Sequence, residues 1–130
     1  MNILDEVSDV LVESLGVDKD EININSNIVK DLGAESIDFL DIIFRLEKKF
    51  NIKIEQSQLF PDDSVFKNPE LVDQTGKFTE QGIQYLKENY PFIDIPMIEK
   101  NPIAKNISDA YTVDTIVKHL EKKMELQKIS

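Results

Sequence analysis

The chain contains no cysteine. Disulfides, thiolate metal ligands and a thiol nucleophile are therefore absent from its own chemistry, and zinc has no ready donor set. Any thiol chemistry must arrive on an attached group. Histidine is scarce as well: His119 is the single one. With no Gly-x-Ser-x-Gly turn beside it, a serine–histidine triad has no framework. His119 lies between polar neighbours and is expected at the surface. No glycine-rich loop is present to cradle phosphates, and no basic–aromatic stripe to track nucleic acid. No apolar run approaches the roughly 18 residues a membrane span needs. The opening Met1-Asn-Ile-Leu-Asp-Glu has none of the character of a signal peptide, so a cytoplasmic protein without membrane insertion is expected. The acids Asp18, Asp20 and Glu21, and the pair Asp62 and Asp63, lack the spacing and glycine of a calcium loop. They are read as solvated charge.

What is present is enough for one domain. In 130 residues, 41% are hydrophobic, which supports a modest core. The 25 acids against 15 bases leave a net charge of −10. Such a surface repels nucleic acid and anionic membranes and suits partners with basic patches, although acidity also serves solubility alone.

Near the N-terminus, Ile3, Leu4, Val7, Val10, Leu11 and Leu15 recur at helical spacing, and Gly16 supplies a stop. From Val17 to Glu35 no period dominates. Turn-forming asparagines alternate there with isolated Ile22, Ile24, Ile28 and Leu32, which predicts a long ordered loop pinned to the core.

That loop ends in the stretch around which the chain is organised, Asp31-Leu-Gly-Ala-Glu-Ser-Ile-Asp38. Ser36 reads as the N-cap of a helix running to about Phe50. There its hydroxyl is exposed at the positive end of the helix dipole, where a phosphate is electrostatically welcome. On a helical wheel Phe39, Ile42, Ile43, Leu46 and Phe50 share the core face, and Asp38, Asp41, Arg45, Lys48 and Lys49 oppose them. Ile37 and Phe44 fall at the edge of the polar face. Either loop residues cover them or they form a docking surface.

Residues Asn51 to Leu59 continue with Ile52 and Ile54 and a short helical turn from about Glu55. From 60 to 108 the character changes: all five prolines lie there, with Phe60, Phe66, Phe78, Tyr85, Tyr90 and Phe92. A helix capped by Thr79, burying Ile83, Leu86 and Tyr90 and stopped by Pro91, is predicted within it. A last helix follows Thr112, with Val113, Ile116, Val117, Leu120 and Met124 on its apolar face.

The segment Asp31-Leu-Gly-Ala-Glu-Ser-Ile-Asp-Phe-Leu resembles the modification-site segment of acyl carrier proteins, and Ser108-Asp-Ala-Tyr-Thr-Val-Asp-Thr-Ile resembles the approach to their final helix. The resemblance covers about Asn2 to Leu59 and Ser108 to Leu126, with 60–108 as an insertion in a single carrier domain, 1–130. It implies an all-α bundle of about four helices with an inserted helical subdomain. It also implies a 4′-phosphopantetheine arm carried covalently on Ser36, whose thiol holds acyl groups as thioesters for fatty-acid, lipid or polyketide synthesis. Glu35 stands where aspartate is usual in the family, with the charge kept. By the same resemblance Glu35, Ile37, Asp38, Asp41 and Phe44 are recognition residues. The partners are a phosphopantetheinyl transferase and acyl-loading, condensing or acyl-transfer enzymes. The protein would be a monomer and a cargo bearer, not an enzyme. An aminoacyl or peptidyl carrier, or a non-carrier interaction domain of the same fold, is the alternative.

Overall fold

Ser26, Asn27 and Ile28 are hydrogen-bonded to the backbone just before the last helix, and this junction sets where Ser36 sits. The computed structural model describes residues 2–129, with side-chain surroundings through Glu125. Its helices are α1 (Ile3–Leu15), α2 (Ser36–Phe50), α3 (Gln56–Leu59), α4 (Asp63–Phe66), α5 (Glu80–Asn89), α6 (Ile95–Lys100) and α7 (Val113–Ile129). Short 3-10 segments lie at Lys19–Glu21 and Ala104–Ala110. The chain is all-α, as expected. Among the described residues, no helix is long and apolar enough to cross a membrane.

α1 packs against α2 and α7, and α3 packs against α7, forming a four-helix core arrangement. The periodic apolar residues supply it: Val7, Val10 and Leu11 of α1 meet Ile42, Ile43 and Leu46 of α2 and Val113, Ile116 and Leu120 of α7 in one buried cluster. Asn2 accepts from the Asp5 backbone N–H at 3.4 Å to start α1, and Gly16 ends it at φ 71°, a left-handed conformation that costs glycine little. Asn51, at φ 53°, ends α2 in the same way.

The 17–35 loop is ordered through backbone pairing. Ile28 N–H donates to the Tyr111 carbonyl at 2.9 Å, Val113 N–H to Ser26 and Asp114 N–H to Ile24. Asn27 is buried at the centre. Its Oδ1 accepts from the Val29 and Lys30 N–H groups at 2.9 and 2.8 Å, and its Nδ2 donates to the Asp109 carbonyl at 2.7 Å. One amide thus turns the loop and ties it to the start of α7.

Between α3 and α7, residues 60–111 fold onto the bundle. The Tyr90 hydroxyl donates to the Ser57 carbonyl at 2.6 Å, and the Thr115 hydroxyl of α7 donates to the Phe92 carbonyl at 2.9 Å. Phe60 packs at 4.4 Å (centroid to centroid) from Tyr111 and edge-on at 5.0 Å from Phe39 of α2. Thr79 caps α5, accepting from Gly82 N–H at 3.0 Å, and Leu86 and Tyr90 are buried while Ile83 is half-buried.

Candidate functional site

α2 begins one residue earlier than its capping chemistry was expected to allow. Glu35, in extended backbone conformation, is the N-cap, and Ser36 is the first helical residue. The expectation that Ser36 caps the helix is therefore corrected. The reason lies three residues on: Asp38 Oδ2 reaches back to accept from the Glu35 N–H at 2.8 Å, taking the reciprocal role in a capping box. Among the described residues the Ser36 hydroxyl has no hydrogen-bond partner, and the side chain is exposed. It stands at the positive end of a 15-residue helix dipole.

The approach to Ser36 is held by the loop motif. Gly33 adopts φ 75°, and Ala34 is buried with its N–H donating to the Ile28 carbonyl at 3.1 Å. The Asp31 carboxylate accepts from the Asn27 N–H at 2.7 Å. Of the acids flanking Ser36, Asp31 and Asp38 thus point an oxygen at backbone donors, which lessens their repulsion of an anion on the serine. The exposed, unbonded hydroxyl at a helix N-terminus fits a phosphodiester-linked group.

The other expected residues are placed unequally. Ile37 and Phe44 are exposed, at 73% and 55%, so no loop covers them. Sequence reasoning missed a third member, Leu40, which is 61% exposed. The signal was available: positions 37, 40 and 44 fall at intervals of three and four and form a second apolar stripe. Phe39, between them, turns to Phe60 and Tyr111 instead.

Asp41 is half-exposed and engaged between α2 and α1. Its Oδ2 accepts from the Ser14 hydroxyl of α1 at 2.7 Å and from Arg45 Nε at 2.9 Å. Those bonds, Ser14 first and Arg45 second, hold its carboxyl below the usual carboxylate range. Arg45 also reaches Glu13 at 3.2 Å, and Lys49 pairs with Glu6 at 3.2 Å. The bases Arg45 and Lys49 therefore brace α2 on α1, whereas Lys48 lies 4.5 Å over the Phe44 ring.

His119 was expected at the surface and is half-buried, with Nε2 enclosed and without a partner among the described residues. Burial, then Lys123 and Lys122, lower its pKa to about 4. It borders a cleft of about 340 Å³ with Leu59, Tyr90, Phe92 and Thr115. The segments 57–59 and 89–93 close over a helix face that reads as polar in sequence. Among the described residues no group of His, Asp and Glu side chains is arranged to hold a metal ion.

Comparison with known proteins places this geometry. The phosphopantetheine attachment site family matches residues 5–65, which contain most of α1, the loop, Ser36 and α2. The acyl carrier protein of Chlamydia caviae is 45% identical over 56 residues, covering 43% of this chain and 73% of that protein. The chain belongs to the acyl carrier protein family. The acyl carrier protein of Campylobacter hominis is likewise 45% identical, over 58 residues covering 73% of its length. That of Campylobacter curvus is 34% identical over 77 residues and is covered completely, by 59% of this chain. A whole acyl carrier protein thus fits within little more than half of these 130 residues. Members of this family are carriers rather than catalysts, and the helical fold and a phosphopantetheine prosthetic group are what the family implies here.

Proposed function

We propose that this protein carries acyl groups as thioesters on a 4′-phosphopantetheine arm bonded to Ser36. The observation that carries the proposal is the Ser36 hydroxyl, exposed and unbonded at the N-terminus of α2, in a chain of this family. The arm supplies the thiol that a cysteine-free chain lacks. The chain's own residues do the rest. Asp38 closes the first turn so that Ser36 needs no capping bond of its own, and Asn27 and Asp31 fix the loop from which the serine is presented. The exposed face of α2 is where a phosphopantetheinyl transferase and the acyl-loading, condensing or acyl-transfer enzymes dock. Ile37 and Phe44 give apolar area there, Glu35 is an exposed acid, and Asp38 and Asp41 shape the face while bonded within it.

Residues 60–108 are read as an insertion in one carrier domain, 1–130. The cargo serves fatty-acid, lipid or polyketide synthesis, and the carrier works as a cytoplasmic monomer. Co-expression with a phosphopantetheinyl transferase tests the reading. Intact-mass spectrometry must show one added arm on the unaltered chain and none on Ser36→Ala. An arm on neither form leaves a non-carrier interaction domain of the same fold.

A further inference from the structure

The cleft beside His119 differs in charge from the molecule around it. The chain carries 25 acids against 15 bases, yet no Asp or Glu lines this cleft, and its lysines are Lys122 and Lys123. Its floor is apolar: Leu59 of α3 and Ile93 are buried, and Phe92 is half-buried. One wall, 89–93, belongs to the 60–108 segment, so the cleft lies where that segment meets α3 and α7. Three polar side chains around it are committed within the fold. The Tyr90 hydroxyl donates to the Ser57 carbonyl, the Thr115 hydroxyl to the Phe92 carbonyl and the Asn89 amide to the Tyr85 carbonyl. His119 Nε2, by contrast, is enclosed and has no partner among the described residues. Buried polar atoms are nearly always bonded, so this nitrogen is fitted to bond a group that enters the cleft.

Lys122 and Lys123 follow His119 by three and four positions on α7 and so share its side of the helix. Among the described residues their contacts are a ring and a carbonyl, not a carboxylate. Lys122 Nζ lies 5.9 Å from the Phe92 ring centroid, and Lys123 donates to the Lys53 carbonyl. The titratable group facing them from the other walls is Tyr90, which its raised pKa keeps uncharged at neutral pH. We propose that this cleft is a second, non-covalent site, apart from Ser36, that takes a small free carboxylate with an apolar body. The carboxylate lies across Lys122 and Lys123 and accepts from the His119 Nε2–H, while the body rests on Leu59, Phe92 and Ile93. A cleft of about 340 Å³ is at the lower end of the range for small-ligand sites and suits one ring with a short acid tail. Inorganic phosphate shares the charge but leaves the apolar floor unused, and a neutral ring leaves the ammonium groups unmatched. A carboxylate with an apolar body uses both. None of these residues lies near Ser36 in the chain, and the inference does not depend on the carrier reading.

The single histidine makes the test direct, because the imidazole C–H signals in proton NMR belong to His119 alone. The full chain is titrated at fixed ionic strength with hydrocinnamate, and in separate arms with hydrocinnamyl alcohol, acetate and inorganic phosphate. The expected result is a saturable shift with hydrocinnamate, at a Kd on the order of 1 mM or tighter, and binding about fivefold weaker or worse in the other arms. Saturation should also raise the His119 pKa above its unliganded value of about 4, since a carboxylate beside the ring favours the imidazolium. The double variant Lys122→Gln/Lys123→Gln should weaken binding about fivefold or more. Lys100→Gln/Lys105→Gln removes the same charge from exposed positions elsewhere and should leave binding within about twofold. Circular dichroism confirms that each variant is folded. Four results would each overturn the inference: no saturable shift at about 10 mM hydrocinnamate, equal binding in any other arm, equal losses in the two double variants, or a saturated complex whose His119 pKa has not risen.

Discussion

Ser36, Asn27 and His119 show how differently single residues reveal their roles. The role proposed for Ser36 is read from its neighbours in sequence, but its position relative to the helix cap was not legible there. A serine before an apolar helix reads as a cap, and only Asp38 folding back on Glu35 frees it. Asn27 looked like one turn-former among several, whereas its amide is buried and bonded to residues more than 80 positions away. His119 misled for the same reason, since its burial is supplied by distant segments. It yields a pH prediction whose sign can be worked out. The folded pKa is about 4 against an ordinary 6.5, so above 6.5 both folded and unfolded states hold it neutral. Between 6.5 and 4 the unfolded chain takes up a proton that the folded chain refuses, so stability is lost as the pH falls through that window. His119→Gln should remove this part of the slope, roughly 1–2 kcal/mol after allowance for a half-exposed ring. Urea denaturation of both forms at pH 7 and pH 4.5 measures it; parallel losses in the two forms would refute the assignment.

At the scale of elements, α1, α2, α5 and α7 were legible because each has a period of three and four residues and recognisable end chemistry. α4, α6 and the 3-10 segment at Ala104–Ala110 were not, since they are held by contacts rather than by pattern. The exposed apolar stripe of α2 was half legible: Ile37 and Phe44 stood out as misplaced apolar residues, and Leu40 was passed over although it shares their three-and-four spacing. Arg45 and Lys49 of α2 were read as part of an open polar face and instead brace α1. A close backbone approach within the 60–108 segment gives an element-scale prediction. A Cβ on Gly82 of α5 would come within 2.1 Å of the Leu71 carbonyl oxygen, which is backbone and cannot swing aside. Gly82→Ala should therefore destabilise the protein by about 1–3 kcal/mol, despite alanine's higher helix propensity. Unchanged or raised stability in chemical denaturation would mean that α5 does not rest on that strand of backbone.

For the molecule as a whole, the 60–108 segment shares one buried cluster with the carrier helices. Phe60 joins Phe39 and Tyr111, while Tyr90, Ile93 and Ile98 are buried with it. Its aromatic content argued against a linker, but nothing in the sequence said which helices it would meet. The account predicts a single cooperative unfolding transition, coincident by far-ultraviolet circular dichroism and tyrosine fluorescence. Native limited proteolysis should spare 66–102; rapid cutting throughout that stretch ahead of the helices would contradict a shared core. The central claim, that the molecule exists to present one serine for loading, is tested most directly by locating the arm. The chain is co-expressed with a phosphopantetheinyl transferase, digested, and sequenced by tandem mass spectrometry. The account predicts a single phosphopantetheine, on Ser36, and an unmodified Ser36→Ala protein that folds as well as the parent. An arm on another serine, or none on a folded parent chain, would contradict it.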